Sequence, residues 1–390
     1  MINPYSLYCI GFLAALALYP LNWSSAYPAL KVPLVVFISC TLIAHFVLSK
    51  YWSKVKPVTF HKTQPPVNPI HVTIFIYCLW IIDFVYEGSI PLLNILLDKP
   101  FNYRLFGMPG LHVLAVTISS FYTLYLFHAF LSERKRVLLA LYLTNLSASI
   151  LIISRSMLFF ILIGSSLLYL FTLDKIPFRK LMLALPLLIV VFYLFGVVGN
   201  KRSAVEDHVA YNPDIFLETG RATENFRESL VPKEFFWAYI YISSPIANLQ
   251  MNINHHTVPP ISMRRVLEYV NNEFLFESIS KRINTMAGIN RQKAIIIKHP
   301  FNVSTIYSTS YTYIGWPGMI TMAIFILALP LLYFKMLSKN NTYSVTAYAI
   351  LCTMYLFFIY DNTIRLMGWG FLLVYPAIIP FVDRFLNRNK

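Results

Sequence analysis

Apolar runs approaching twenty residues recur along this chain, and the stretches between them are alternately basic and nearly neutral. About 20 apolar residues in a helix cross the hydrocarbon core of a bilayer. On that measure spans are expected near Tyr5–Tyr19, Val32–Leu48, Ile70–Val85, Leu111–Leu131, Val137–Ile153, Met157–Leu173, Leu181–Val198, Tyr313–Phe334, Tyr343–Tyr360 and Met367–Val382. The pattern predicts an all-α, polytopic membrane bundle of about ten transmembrane helices. The first run lacks a charged stretch before it and a small-residue cleavage site, so it reads as a retained span rather than a signal peptide.

The series is interrupted once, at residues 200–312. Loops beyond about 15 residues without structure of their own are uncommon, and this segment is neither low in complexity nor uniformly polar. The expected organisation is an N-terminal bundle at 1–199, an inserted and mostly helical module at 200–312, and C-terminal spans at 313–390. Within the module, Pro232–Gln250 is dense in Trp and Tyr, which favour the headgroup layer, so an interfacial helix ending at Pro245 is expected. Met263–Ile283 sets Val266, Leu267, Val270, Phe274 and Ile283 opposite Arg264, Arg265, Glu268 and Lys281. That spacing predicts an amphipathic helix with its polar face turned to water or to an anionic ligand. Ile90, Leu92, Leu93, Ile95 and Leu96 suggest a further short interfacial helix between the third and fourth spans.

Charge sets the orientation. Hydrophobic residues make up 57% of the chain and charged residues 13%, with a net charge of +15. In a soluble protein that surplus would suggest nucleic acid, but its placement excludes this. Alternate connections carry Lys50, Lys54, Lys56, Lys62, Arg134, Lys135, Arg136, Lys175, Arg179, Lys180, Lys335, Lys339, Arg384, Arg388 and Lys390. Only Glu133, Asp174 and Asp383 oppose these fifteen cations, so this side contributes +12. The positive-inside rule makes these loops and both termini cytoplasmic. The module balances twelve cations with ten acids and is expected outside, in the periplasm of a bacterial inner-membrane protein.

All four cysteines fall in expected spans, so neither a disulfide framework nor a thiol nucleophile is indicated. There is no P-loop, no D-x-D and no ligand-like spacing of His and carboxylates; no metal and no cofactor are expected.

Five constellations on the outer side could carry chemistry. Tyr103 and Arg104 precede a turn shaped by Gly107, Pro109 and Gly110; guanidinium presents a planar fork to phosphate oxygens. Arg155, in Ser154-Arg155-Ser156, is expected at a hairpin tip near membrane depth, where ionisable groups are rare. Lys201 and Arg202 leave the seventh span together and could bind lipid pyrophosphate or ordinary anionic lipid. Asn302–Gly318 offers hydroxyls, Thr305 among them, with His299 just upstream as a candidate base. Asp361 and Arg365 share the last outer turn and could simply pair with each other, while Asp83 and Glu87 close the third span as further candidate bases. Tyr239, Tyr241, Arg264, Arg265, Arg291 and Arg365 are candidate substrate contacts in the module and beside it; Arg104, Arg155, Glu87 and His299 are the candidate catalytic groups.

Certain short runs resemble the O-antigen polymerases, the Wzy-type oligosaccharide repeat-unit polymerases. They are Glu87-Gly88-Ser89-Ile90-Pro91, Tyr103-x-x-x-Gly107-x-Pro109-Gly110-Leu111-His112 with Arg104 inside it, Ser154-Arg155, Asn302-Val303-Ser304-Thr305 and Gly315-x-x-Gly318. The resemblance covers most of the length, but the Arg-x10-Gly pattern described for some polymerases is absent, so no arginine is carried over through it. It implies a fold akin to GT-C membrane glycosyltransferases and to O-antigen ligases. It also implies metal-independent transfer of a growing glycan from undecaprenyl diphosphate to the nonreducing end of another lipid-linked repeat. The implied partners are lipid-linked oligosaccharide as donor and acceptor, membrane lipids, a chain-length regulator and a flippase. A flippase of lipid-linked oligosaccharide and a membrane O-acyltransferase of surface glycans are the alternatives. The first would need internal pseudo-symmetry, and the second an embedded catalytic His; neither His45 nor His128 has such surroundings in the sequence.

Overall fold

The structure, a computed structural model, describes residues 2–55, 60–97, 106–173, 186, 189–197, 199–200, 213–297, 301–337 and 341–387. Among these, no strand forms. The helices are α1 (Pro4–Leu18), α2 (Val32–Val55), α3 (Pro69–Glu87), α4 (Pro91–Leu96), α5 (Leu111–Glu133), α6 (Arg136–Leu151) and α7 (Arg155–Phe171). After them come α8 (Pro213–Thr219), α9 (Glu224–Arg227), α10 (Phe235–His255), α11 (Met263–Phe274) and α12 (Glu277–Ala287). The chain closes with α13 (Ile306–Ile314), α14 (Trp316–Met336), α15 (Ser344–Phe357), α16 (Met367–Gly370) and α17 (Val374–Asn387).

Five of these are long and apolar enough to cross a membrane: α1 with its continuation to Leu21, α2, α3, α5 and α14. Shorter apolar helices are α6, α7, α15 and Met367–Pro380. Of the expected seventh span, residues 186 and 189–197 are helical and the rest lies outside the described residues. The helices point apolar residues outward, such as Val32, Ile43 and Val47 on α2 and Ile74, Ile81 and Val85 on α3. Inside they keep Tyr5, Tyr8, His45, Asn145, Tyr348 and Tyr355. An apolar exterior around a core containing polar groups is the arrangement a hydrocarbon solvent favours.

Helix α15 lies at the centre, with every residue from Val345 to Tyr355 buried. Helices α5 and α7 run antiparallel to it. His128 of α5 meets Thr346 at 3.1 Å, and Phe171 of α7 meets Tyr348, all near the start of α15. At the other end Trp369 packs on both Phe160 and Phe357. The starts of α5 and α7 therefore share one end of the bundle with the turn that follows α15. The inserted module packs there too: Ser25 N–H donates to Arg221 O, Ile306 N–H to Phe358 O, and Glu277 N–H to Arg365 O, each at 2.9 Å.

Two module elements differ from the sequence expectation. Helix α10 does not end at Pro245 but runs through it to His255, and it is largely buried, at Phe236–Ile240 and again at Ser243–Gln250, rather than interfacial. Its aromatic residues serve packing: Trp237 stacks on Phe216 at 3.6 Å, and Tyr239 stacks on Tyr27. Burial against α1 and α13 outweighs the roughly 3 kcal/mol that an interior proline costs. The expected helix at Met263–Ile283 is two helices, broken where Leu275 and Phe276 turn extended, at ψ 151 and 141. Of the expected polar face, Arg264 and Lys281 are exposed and Arg265 and Glu268 half-buried, but a second polar set, Tyr269, Asn271, Asn272 and Glu273, is buried, and the expected apolar Leu267, Val270 and Ile283 are exposed.

Candidate functional site at the module end of the bundle

Asp83 stands in the last turn of α3 and has no exposed surface. Its Oδ1 accepts the Met108 N–H at 2.7 Å, and its Oδ2 lies 2.6 Å from Nδ1 of His112 in the first turn of α5. One turn on, Glu87 Oε1 accepts the Gly107 N–H at 2.9 Å. Two carboxylates thus fasten the loop that returns the chain into α5. Gly107 has φ 98, and a Cβ there would fall 2.5 Å from the His112 ring, so only glycine allows this backbone against the imidazole. Trp80 and Phe106 meet the same ring edge-on. The imidazole is held from three sides, yet its side chain keeps 25% of its surface open. A proton on Nδ1 directed at Asp83 leaves Nε2 as an acceptor, and Nε2 has no partner among the described residues.

Arg155 opens α7 behind the Ser154 cap and is exposed. The preceding Ile153 sits at φ 54, a strained conformation for a β-branched residue, and this turn fixes where the guanidinium emerges.

The second cluster forms where α11 and α12 meet the turn after α15. Glu273 is fully buried; Ser310 Oγ and Asn362 Nδ2 each donate to Oε2 at 3.3 Å, and Oε1 has no partner. Burial pushes its carboxyl up to about 7, while the Asn362 hydrogen bond and the Arg291 charge pull the other way. Arg365, 6% exposed, donates from Nη2 to Asp361 Oδ1 at 2.9 Å and leaves Nε without a partner. Asp361 is also pushed up, chiefly by burial, with Glu273 adding to the effect. Arg291 Nη1 lies 3.6 Å from Glu277 Oε1. Buried polar atoms without partners are few in folded proteins, so Glu273 Oε1 and Arg365 Nε in one cluster mark it out.

The structure brings Arg291 and Arg365 together in this cluster and gives Glu87 and Thr305 local duties, as a loop tether and as the cap of α13. Tyr239 is 2% exposed with its OH on the Trp23 N–H, and Tyr241 packs on Phe195; both belong to the aromatic packing around α10. Arg264 pairs with Glu268 at 3.0 Å on the surface, and Arg265 reaches Tyr313 O at 3.4 Å. Tyr103, Arg104, Lys201, Arg202 and His299 lie outside the described residues. Among the described residues no group of three His, Cys, Asp or Glu is placed to hold a metal ion.

Two functional candidates were not assigned from sequence. His112 appeared only as a motif letter, although an acid closing one span and a His opening the next are natural partners. Glu273 gave no signal, because one Glu in a charged helix looks solvated. No protein-family model, curated protein or solved structure matches this chain.

Proposed function

We propose that this chain is a multi-pass protein of the bacterial inner membrane that polymerises lipid-linked oligosaccharide repeats on the periplasmic face. The reading takes about ten spans with both termini cytoplasmic, from the basic bias of alternate connections. The observation that carries it is the Asp83–His112 pair at 2.6 Å, which joins α3 to the start of α5 just after Tyr103-Arg104 in the chain. An imidazole oriented by a buried carboxylate is suited to accept a proton. In this mechanism His112 Nε2 takes the proton of an acceptor-sugar hydroxyl as that oxygen bonds to the donor's anomeric carbon. The bond from that carbon to the diphosphate breaks, and undecaprenyl diphosphate leaves with the electron pair. Arg155, with Arg104, Lys201 and Arg202, supplies cations where the leaving charge develops. No step calls for a metal ion.

The test uses purified protein in nanodiscs with undecaprenyl-diphosphate-linked repeat units, scored as a polymer ladder. Asp83→Asn leaves the imidazole in the wrong tautomer and is expected to slow polymerisation by about 10²-fold or more. His112→Gln is expected to be at least as slow, with both proteins still folded and binding substrate. Normal ladders from folded His112→Gln protein would remove the base assignment. No ladder from the parent protein under any of these conditions would remove the polymerase reading itself.

A further inference from the structure

Helices α11 and α12 each expose a stripe of large apolar residues, and between them they bury uncharged amides, hydroxyls and one carboxyl. On α11 the buried side carries Tyr269, Asn272 and Glu273, while Met263, Leu267 and Val270 are 75%, 62% and 44% exposed. On α12 Ser280 and Asn284 are buried, while Ile279, Ile283 and Met286 are 47%, 38% and 87% exposed. The two helices are zipped together by amides: Asn271 Nδ2 donates to Asn284 Oδ1 at 2.8 Å, and Asn284 Nδ2 to Asn272 Oδ1 at 2.7 Å. Positions 263, 267 and 270 follow helical spacing, so the exposed residues form a continuous stripe along one side. A stripe of large apolar side chains on both helices of a hairpin is not what water selects.

The location says what covers it. Tyr269 OH donates to Gly318 O at 2.8 Å and lies 2.9 Å from Thr321 Oγ1, and Phe274 packs edge-on against Phe325. Gly318, Thr321 and Phe325 occupy the first turns of α14, a helix of spanning length whose own Ile320 and Ile324 are 49% and 60% exposed. The hairpin thus packs on the opening turns of a spanning-length helix whose own exposed side chains are apolar. Trp316 opens that span, as aromatic residues do at a headgroup layer. Exposed Arg264, Lys281 and Arg282 flank the stripe, where they can meet phosphate groups while their stems cover apolar surface.

We propose that α11 and α12 form a hairpin that lies in the lipid interface at the module end of the bundle. Met263, Leu267, Val270, Ile279, Ile283 and Met286 enter the boundary between headgroups and acyl chains. The occupant of this surface is the bilayer itself, rather than a second copy or another protein. The hairpin carries Glu273 on its inner side, so the membrane surface becomes one wall of the joint between module and bundle.

Single cysteines placed at these six positions, and at Arg264, Lys281 and Arg282, would be spin-labelled in a variant lacking the four native cysteines. The protein would be reconstituted in nanodiscs containing anionic phospholipid. Collision with dissolved oxygen and with a water-soluble nickel complex would then be measured at each site. The expected result is oxygen-favoured collision at the six apolar positions and a shift to nickel-favoured collision at the three charged ones. Nickel-favoured collision throughout would place the hairpin in open water and overturn the proposal. Exclusion of both reagents at the apolar positions would overturn it too, in favour of a protein partner or a second copy. Circular dichroism and elution volume of each labelled variant establish that a change in collision ratio comes from a folded protein.

Discussion

Glu273 enters the folded state with its carboxyl raised from 4.5 to about 7, so folding takes up a proton between those values. Above pH 4.5 the unfolded chain has released this proton while the folded chain still holds it. Stability therefore falls as pH rises, and levels off above about 7. The size of the loss is about 3 kcal/mol, taking about 1.4 kcal/mol for each pH unit. Thermal unfolding in detergent at a series of pH values should show this decline in the parent protein, and Glu273→Gln should be more stable than the parent at pH 8 but not at pH 4.5. A parent and variant with parallel profiles would show that Glu273 ionises freely. At Arg155 the expectation concerns rate. Arg155→Lys keeps the charge and loses the planar fork, so turnover should fall by about 10²-fold with lipid-linked substrate still bound. Near-normal turnover would reduce Arg155 to a marker of the turn. At this scale the sequence was most informative where one residue type had few uses. Arg155 at a turn and the Asp361–Arg365 pair were legible, the latter now 2.9 Å apart. Glu273 and His112 were not, because burial and a ring partner from another helix are tertiary facts.

Periodicity found most of the apolar helices to within a few residues, and it failed where environment rather than pattern decides. Aromatic density in α10 had two readings, headgroup layer or core, and only the neighbours distinguish them. The break between α11 and α12 has no proline or glycine to announce it. A further element was invisible for the same reason. Asn248 and Asn252, one turn apart on α10 and both fully buried, treat an extended chain as a strand treats its neighbour. Asn248 Oδ1 accepts the Ile297 N–H and Asn252 Oδ1 the Ile295 N–H, both at 2.8 Å. Asn252 Nδ2 donates back to Ile295 O at 2.7 Å, and Asn248 Nδ2 donates to Phe301 O and Val303 O. These amides hold the chain at Ile295 and Ile297, and at Phe301 and Val303 ahead of α13. Asn252→Ala leaves the Ile295 N–H and C=O without partners, at about 1–3 kcal/mol each. Hydrogen exchange at residues 293–297 should accelerate well before the spans are affected. Unchanged protection there would mean that packing alone holds the segment.

At the scale of the whole molecule, a helical bundle with apolar helices of spanning length was legible from composition and run length alone, because a bilayer imposes both. Orientation depends on charge placement, and every role proposed for the outer groups depends on orientation. Exposed single positions at the two ends of the bundle test it without inserting a domain into a buried helix. Asn290 lies exposed just beyond α12, and Lys135 lies exposed in the tight turn between α5 and α6, at opposite ends of the bundle. In a cysteine-free background, Asn290→Cys in intact cells should react with a maleimide that cannot cross the inner membrane. Lys135→Cys should react only after the cells are broken open. The fifteen cations opposed by three acids on the Lys135 side, with the module near balance, set this expectation. The reverse labelling pattern would place His112, Arg155 and the hairpin α11–α12 in the cytoplasm. Periplasmic polymerisation would then be untenable, whereas the apolar stripe of the hairpin would still face a membrane, now the inner leaflet.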